Sequence, residues 1–143
     1  MNLTRTTVLL AATVSTLACH DAGAPPVPPV TFTLDNINGI SLPYVPAIPE
    51  APTVISAALL LETSGRATII EHRRQMAVDV TDTRTYTYKI NGNEIQFAYS
   101  PPCPINALCI APPKGTITGS RVLLDMSGGN GTLVYNFRLI ASD

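Results

Sequence analysis

Apolar and polar side chains alternate at every second position over residues 84–99, and the dipeptide Asn91-Gly92 stands in the middle of that segment. Asn-Gly between two alternating runs is the strongest short-range signal for a β-hairpin. A two-residue turn at Asn91-Gly92 pairs Ile90 with Asn93. One face of the hairpin then carries the large side chains, which are Tyr86, Tyr88, Ile95 and Phe97. The pattern therefore predicts an antiparallel sheet with one buried face.

Similar turn signals divide the rest of the chain, from Thr31 onward, into short alternating segments. Gly119-Ser120 fits a type II′ turn, with Gly first, and pairs Ile117 with Val122. Further strands are predicted around Phe32 and Leu34, Leu59 and Leu61, Ala67 and Ile69, and Leu133, Tyr135, Phe137 and Leu139. About eight strands joined mostly by short turns favour a single all-β domain over residues 31–143, an up-and-down antiparallel barrel whose closure removes exposed edges. An open β-meander or a sandwich is the alternative.

Residues 1–18 are typical of an export signal. A single cation, Arg5, precedes a moderately apolar run over residues 6–14, and small residues follow it; this is the layout of a signal peptide. The run is shorter than the roughly 20 apolar residues that a membrane-spanning helix needs. We therefore expect a signal that is removed from the mature protein.

The residues at the end of this signal, Thr16-Leu17-Ala18-Cys19, resemble the lipobox of bacterial lipoproteins. In that family the Cys is acylated and becomes the new N-terminus, so the resemblance implies palmitate or a similar lipid on Cys19 and an anchor in a membrane of the cell envelope. The next residue is His20 rather than the Asp that favours inner-membrane retention, so the resemblance favours the outer membrane, on its periplasmic or surface face. An ordinary secretory signal with an incidental Cys is the alternative.

Residues 19–30 connect this anchor to the first predicted strand. Four of them are prolines, and the segment has no apolar periodicity. Such a composition predicts an extended, semi-rigid tether of polyproline character.

The layout of the mature chain, from FTLDNINGISLP at its start to LVYNFRLI at its end, resembles small, largely uncharacterised bacterial lipoproteins with lipocalin-like barrel domains. Lipocalins proper carry a Gly-x-Trp motif in their first strand, whereas this chain has no Trp, so their ligand carriage is not implied. The predicted alternation directs five large side chains into the barrel interior: Tyr86, Tyr88, Phe97, Tyr135 and Phe137.

Cys103 and Cys109 lie in the segment PPCPINALCIAPP, and two Cys beyond a lipidated one are expected to form a disulfide in an exported protein. Closing so short a loop stabilises by roughly 2 kcal/mol in the chain-entropy model. The disulfide could order a contact loop that presents Ile105 and Leu108 to a partner, or it could simply staple a long connection. We favour the staple.

Prolines recur at every third position over residues 43–52, which matches the three-residue turn of polyproline II and excludes a central strand. Such a segment could be a lid across the mouth of the barrel or a docking strip for a partner. A long, stiff connection that packs against one end of the barrel is the simpler interpretation, and we favour it.

The sequence contains no residue pattern that is typical of a catalytic or metal-binding site. We therefore expect no catalytic residue, no metal site and no cofactor. His72 stands among Glu71, Arg73 and Arg74, a run that is typical of a solvated strand face. Asp79 and Asp82 could hold a hydrolytic pair or a calcium ion, but their spacing more often marks a polar turn.

Two functions from different classes remain open. Charged residues make up only 13% of the chain and the net charge is -1, so nucleic acid is an unsuitable partner. The domain is then either a non-enzymatic interaction or structural module that contacts an envelope protein, or a barrel that binds a small apolar ligand. Five large inward side chains favour a filled interior and thus the first function. A lined cavity above about 300 Å³ would favour the second.

Overall fold

The computed structural model describes residues 23–48, 50–127 and 132–140. The signal predicted over residues 1–18 and the lipidation site predicted at Cys19 lie outside these residues. Within the described ranges the chain is all β, and no helix is present that could cross a membrane. The strands are β1 (Val30–Ile37), β2 (Ile40–Ser41), β3 (Thr53–Leu61), β4 (Arg66–Gln75), β5 (Val78–Asn91), β6 (Glu94–Tyr99), β7 (Lys114–Thr118), β8 (Arg121–Asp125) and β9 (Val134–Leu139).

Eight of these strands form a closed antiparallel barrel, which confirms the predicted fold class. Neighbours in the barrel follow the order β1-β3-β4-β5-β6-β7-β8-β9, and β9 pairs back onto β1 with Phe32 opposite Leu139. The short strand β2 is an addition that pairs with the end of β1. Closure leaves the first and last strands hydrogen-bonded to each other, so neither is a free sheet edge over its paired length.

The local turn chemistry produces most of the predicted pairings. Ile117 pairs with Val122, as the sequence predicts, and Leu61 pairs with Ala67 across the turn between the two strands predicted there. Between β1 and β2, Asn38 and Gly39 both have positive φ, at 52° and 79°. A type I′ turn requires positive φ at both central residues, and Asn-Gly supplies it at little steric cost.

The predicted register of the β5–β6 hairpin is wrong by two residues. Ile90 pairs with Ile95 rather than with Asn93, so the turn consists of Gly92 and Asn93. Gly92 has a φ of 59°, as the first central residue of a type II′ turn requires. Because side chains alternate with a period of two, this shift leaves every side chain on the predicted face of the sheet.

The barrel interior is filled by one apolar cluster over most of its length. Tyr86, Phe97, Tyr135 and Phe137 are all buried in it, and Tyr88 is half-buried at its edge. The Tyr86 ring packs edge-on against that of Phe97 at a centroid distance of 5.7 Å. The hydroxyl of Tyr88 donates to the carbonyl of Glu62 at 2.9 Å, so this side chain ends beside the β3–β4 turn.

Strand direction separates the connections into two groups at opposite ends of the barrel. The turns after β3, β5 and β7 lie at one end, here called the base, where the chain also enters β1. The long connections lie at the other end, here called the loop end: residues 42–52, residues 100–113 and the β8–β9 connection. The two-residue β4–β5 turn lies at the loop end as well. At the base, the backbone N–H of Gly119 donates to the carbonyl of Gly23 at 3.3 Å. The tether is therefore already in contact with the base at Gly23.

Candidate functional site at the loop end

A cavity of about 520 Å³ opens at the loop end of the barrel. Its walls come from residues 44–54, from the inward faces of β4 and β5, and from the β8–β9 connection. Apolar side chains of Tyr44, Ile48, Val54 and Leu133 share this lining with the charged side chains of Glu71, Arg73 and Arg84. The site is thus apolar around a small polar group, as ligand sites usually are.

Glu71 enters the barrel because it continues the inward face of β4. Ala67, Ile69 and Glu71 are buried in turn at every second position, while His72 is exposed. The prediction that Glu71 belongs to a solvated face is therefore wrong. It fails because the five consecutive polar residues 71–75 hide the alternation, which still holds in the strand itself.

Three donors satisfy the buried carboxylate of Glu71. The hydroxyl of Tyr135 donates to Oε2 at 2.7 Å, and Nη2 of Arg84 donates to the same oxygen at 3.1 Å. Nε of Arg73 lies 3.2 Å from Oε1. A buried carboxylate is tolerated when cationic and neutral donors compensate for the hydration it loses, and both kinds are present here.

Asp82, the cross-strand partner of Glu71, also connects the two arginines. Its Oδ2 lies 3.2 Å from Nη2 of Arg73 and 3.3 Å from Nε of Arg84. The four charges form a ring of alternating sign at the junction of β4 and β5, and Tyr135 of β9 reaches it from across the barrel. The two guanidinium groups are about one-third exposed, whereas the Glu71 side chain is 3% exposed.

Tyr135 acts in this ring as a protonated donor. Burial raises the pKa of its hydroxyl well above the usual value, and the neighbouring Glu71 charge raises it further. The phenol therefore keeps its proton throughout the physiological range and holds Glu71 by a charge-assisted hydrogen bond.

The prediction of a polar turn at Asp79 and Asp82 is also wrong. Both residues lie within β5, and the turn is formed by Met76 and Ala77, which have positive φ. Asp79 accepts two hydrogen bonds from Arg74, at 2.7 and 3.1 Å. This hydrogen bond lowers the pKa of the Asp79 carboxyl, but the pair is fully exposed and lies outside the cavity.

The proline-rich connection, residues 42–52, lies across the loop end and is here called the proline strap; Pro49 within it is not among the described residues. Tyr44 and Val54 exchange two backbone hydrogen bonds of 2.8 and 2.9 Å, which fix the strap to the start of β3. Pro46 and Pro52 line the cavity, whereas Val45 is largely exposed. The strap is thus a stiff connection against one end of the barrel, as favoured above, and it also forms a wall of the cavity.

The disulfide between Cys103 and Cys109 is confirmed. It closes the tip of the connection between β6 and β7, where Ile105 and Leu108 are fully exposed. The hydroxyl of Tyr99 donates to the carbonyl of Ile110 at 2.7 Å and holds the loop against β6. A second cavity, of about 330 Å³, lies between this loop and the barrel.

His72 and the carboxylates of the loop end were considered above as candidate catalytic or metal-binding groups. His72 points outward, and its Nδ1 lies 2.9 Å from the hydroxyl of Thr81. Over the described ranges, no three side chains of His, Cys, Asp or Glu come together in a way that could hold a metal ion.

Comparison of the chain with protein-family models, with curated proteins and with solved structures finds no match. The closed antiparallel barrel of eight strands is consistent with a lipocalin-like fold.

Proposed function

We propose that this protein is a lipid-anchored component of the bacterial cell envelope whose barrel binds a small amphipathic molecule at its loop end, without catalysing a reaction. The cavity of about 520 Å³ carries this proposal. It exceeds the size of about 300 Å³ at which drug-sized ligand sites begin. It thereby favours the second of the two functions considered above, since the large inward side chains leave a space at the loop end, where Tyr135 forms part of the wall.

The lining supports an amphipathic rather than a wholly apolar ligand. Tyr44, Ile48 and Leu133 offer apolar contact, and the guanidinium groups of Arg73 and Arg84 offer hydrogen-bond donors. A ligand that lacked a polar group would cover these donors without pairing them, which costs free energy. The ligand would therefore place its polar group at the arginines and its apolar part under the proline strap.

Binding is tested on the purified mature domain by calorimetric titration with alkyl carboxylates and with uncharged alkyl glucosides. Saturable binding that a bulky substitution at Leu133 weakens, for example Leu133→Trp, supports the proposal. The matched control is Leu123→Trp on the outer face of β8, where the side chain is exposed. Absence of saturable binding of every probe to the wild-type protein contradicts it.

The lipobox-like residues that end at Cys19 support the lipid anchor. His20, which follows Cys19, supports a location in the outer membrane. Cells that express the full chain and are fed labelled palmitate should incorporate the label. The variant Cys19→Ala should lose it and leave the membrane fraction. Label that survives this substitution would contradict acylation at Cys19.

A second function, contact with an envelope protein, is favoured by one observation. Ile105 and Leu108 are fully exposed on a loop that the disulfide orders, and large exposed apolar side chains are typical of interaction sites. A photo-crosslinking side chain in place of Leu108 should then trap one envelope protein in cells. The same label in place of Ser64, at the base, is the control, and equal trapping at both positions would contradict this function.

A further inference from the structure

Two residues line both cavities at the loop end. Arg84 and Met126 belong to the wall of the 520 Å³ cavity under the proline strap and also to the wall of the 330 Å³ cavity under the disulfide loop. The two spaces are therefore neighbours, and the partition between them contains these two side chains.

Only one of these two side chains is held by polar contacts. Nη2 of Arg84 donates to Glu71, and its Nε lies beside Asp82, so its guanidinium is fixed between two carboxylates. Met126 is anchored through its backbone N–H, which donates to the carbonyl of Leu133 at 2.9 Å. Its thioether side chain is unbranched and can rotate about three bonds, so it can leave the partition while the backbone stays in place.

The charged lining favours a negative group on the ligand. The two oxygens of Glu71 are already engaged by Tyr135, Arg84 and Arg73. The guanidinium groups of Arg73 and Arg84 are partly exposed, and none of their contacts with Glu71 or Asp82 uses Nη1 of either residue. A carboxylate or phosphate oxygen that enters the cavity could therefore accept from the exposed part of these guanidinium groups.

We propose that the two cavities are the halves of one cleft, which Met126 divides, and that this cleft takes an elongated ligand whose anionic group is held at Arg73 and Arg84. The ligand would lie under the proline strap at one end and under the disulfide loop at the other. This inference rests on the proposed function, because it specifies the ligand of the same site.

The division by Met126 is tested with two carboxylates of different length, octanoate and palmitate. Met126→Phe replaces a flexible side chain by a rigid, bulky one, and it should lower the ratio of palmitate to octanoate affinity at least tenfold. Leu123→Phe makes a comparable change on the outer face of β8 and should leave that ratio unchanged. Met126→Ala widens the passage and should raise the ratio, so the two Met126 variants predict opposite signs.

The anionic group is tested by comparing palmitate with hexadecanol, which has the same chain length and no charge. Palmitate should bind at least tenfold more tightly to the wild-type protein. Equal affinities for palmitate and hexadecanol would overturn the role of the arginines. A ratio of palmitate to octanoate affinity that stays unchanged in both Met126 variants would overturn the single cleft. Either result leaves the proposed binding function standing, whereas a wild-type protein that binds neither these three probes nor the alkyl glucosides contradicts that function and this inference together.

Discussion

Glu71 is, among the residues that the structure describes, the only charged residue that is buried. An ionised carboxylate inside a protein is stable only while its lost hydration is replaced, and Tyr135, Arg84 and Arg73 replace it here. Each of these donors therefore affects stability more than an exposed polar residue would. They also hold the polar group of the cavity in place.

Tyr135→Phe removes one donor and keeps the ring, so its effect isolates the hydrogen bond to Glu71. We expect the free energy of unfolding to fall by about 1–3 kcal/mol, because a buried acceptor is left with fewer partners. Urea unfolding measures this difference. Tyr44→Phe is the matched control, since no hydrogen bond of the Tyr44 hydroxyl is found within the described part of the chain, and equal losses in both variants would contradict the role of the bond.

The raised pKa of Tyr135 also predicts a loss of stability in alkali. In the unfolded chain this hydroxyl ionises near its ordinary pKa of 10.0, whereas in the folded protein it keeps its proton to higher pH. Above about pH 10, the pKa in the unfolded chain, the unfolded state binds fewer protons than the folded state. The free energy of unfolding therefore falls as the pH rises from there to the higher pKa of the folded protein. Urea midpoints measured on both sides of about pH 10 should decline less steeply in Tyr135→Phe, and identical slopes would contradict the prediction.

At the scale of strands, the hairpins were predictable because their signals are local. Gly119-Ser120 combines a turn sequence with alternating flanks, so a few residues determine the pairing of Ile117 with Val122. At Asn91-Gly92 the same kind of signal predicted the hairpin and its two faces, but the register differs by two residues. The charged ring was not predictable. Glu71 and Tyr135 stand 64 positions apart, and no local pattern indicates that β4 and β9 face each other across the barrel. The alternation of inward and outward positions along β4 was the one signal that Glu71 enters the barrel, and the run of polar residues concealed it.

In β7 the backbone of Gly115 lies very close to the backbone of Leu123 in β8, and the sequence did not indicate this contact. A Cβ atom at Gly115 would lie 1.7 Å from the carbonyl oxygen of Leu123, which is backbone and cannot move aside cheaply. Gly115→Ala should therefore lower the free energy of unfolding by about 3 kcal/mol, the upper part of the range for overpacking. Thr116→Ala, at an exposed position of the same strand, should change it by less than about 0.5 kcal/mol. Denaturant unfolding of both variants tests this, and similar stabilities would show that β7 and β8 can separate.

At the scale of the whole molecule, Gly23 and the cavity lie at opposite ends of the barrel. Cys19 precedes Gly23 by four positions, and Gly23 contacts the base, so an extended chain puts the lipid within about 14 Å of the base. Tilted strands of about eight residues on average put the loop end roughly 20 Å further away. The cavity would then open away from the membrane that holds the protein.

This orientation can be measured on the acylated protein in liposomes. A fluorophore attached at Ser64→Cys, in the base turn, should be quenched strongly by nitroxide-labelled lipids. A fluorophore at Met76→Cys, an exposed position of the loop end, should be quenched weakly. The unacylated Cys19→Ala variant with the same labels is the control. Equal quenching at both positions would contradict a fixed orientation.

The hydrogen bonds between β1 and β9 join the two extremes of the described chain. The barrel cannot close until β9 is available to pair with β1. Contacts between residues so distant in sequence also form slowly. In the export that we propose, the barrel would therefore close only after β9 has left the translocation channel. Loss of β9 alone would leave β1 and β8 with unpaired edges and expose the chain to aggregation.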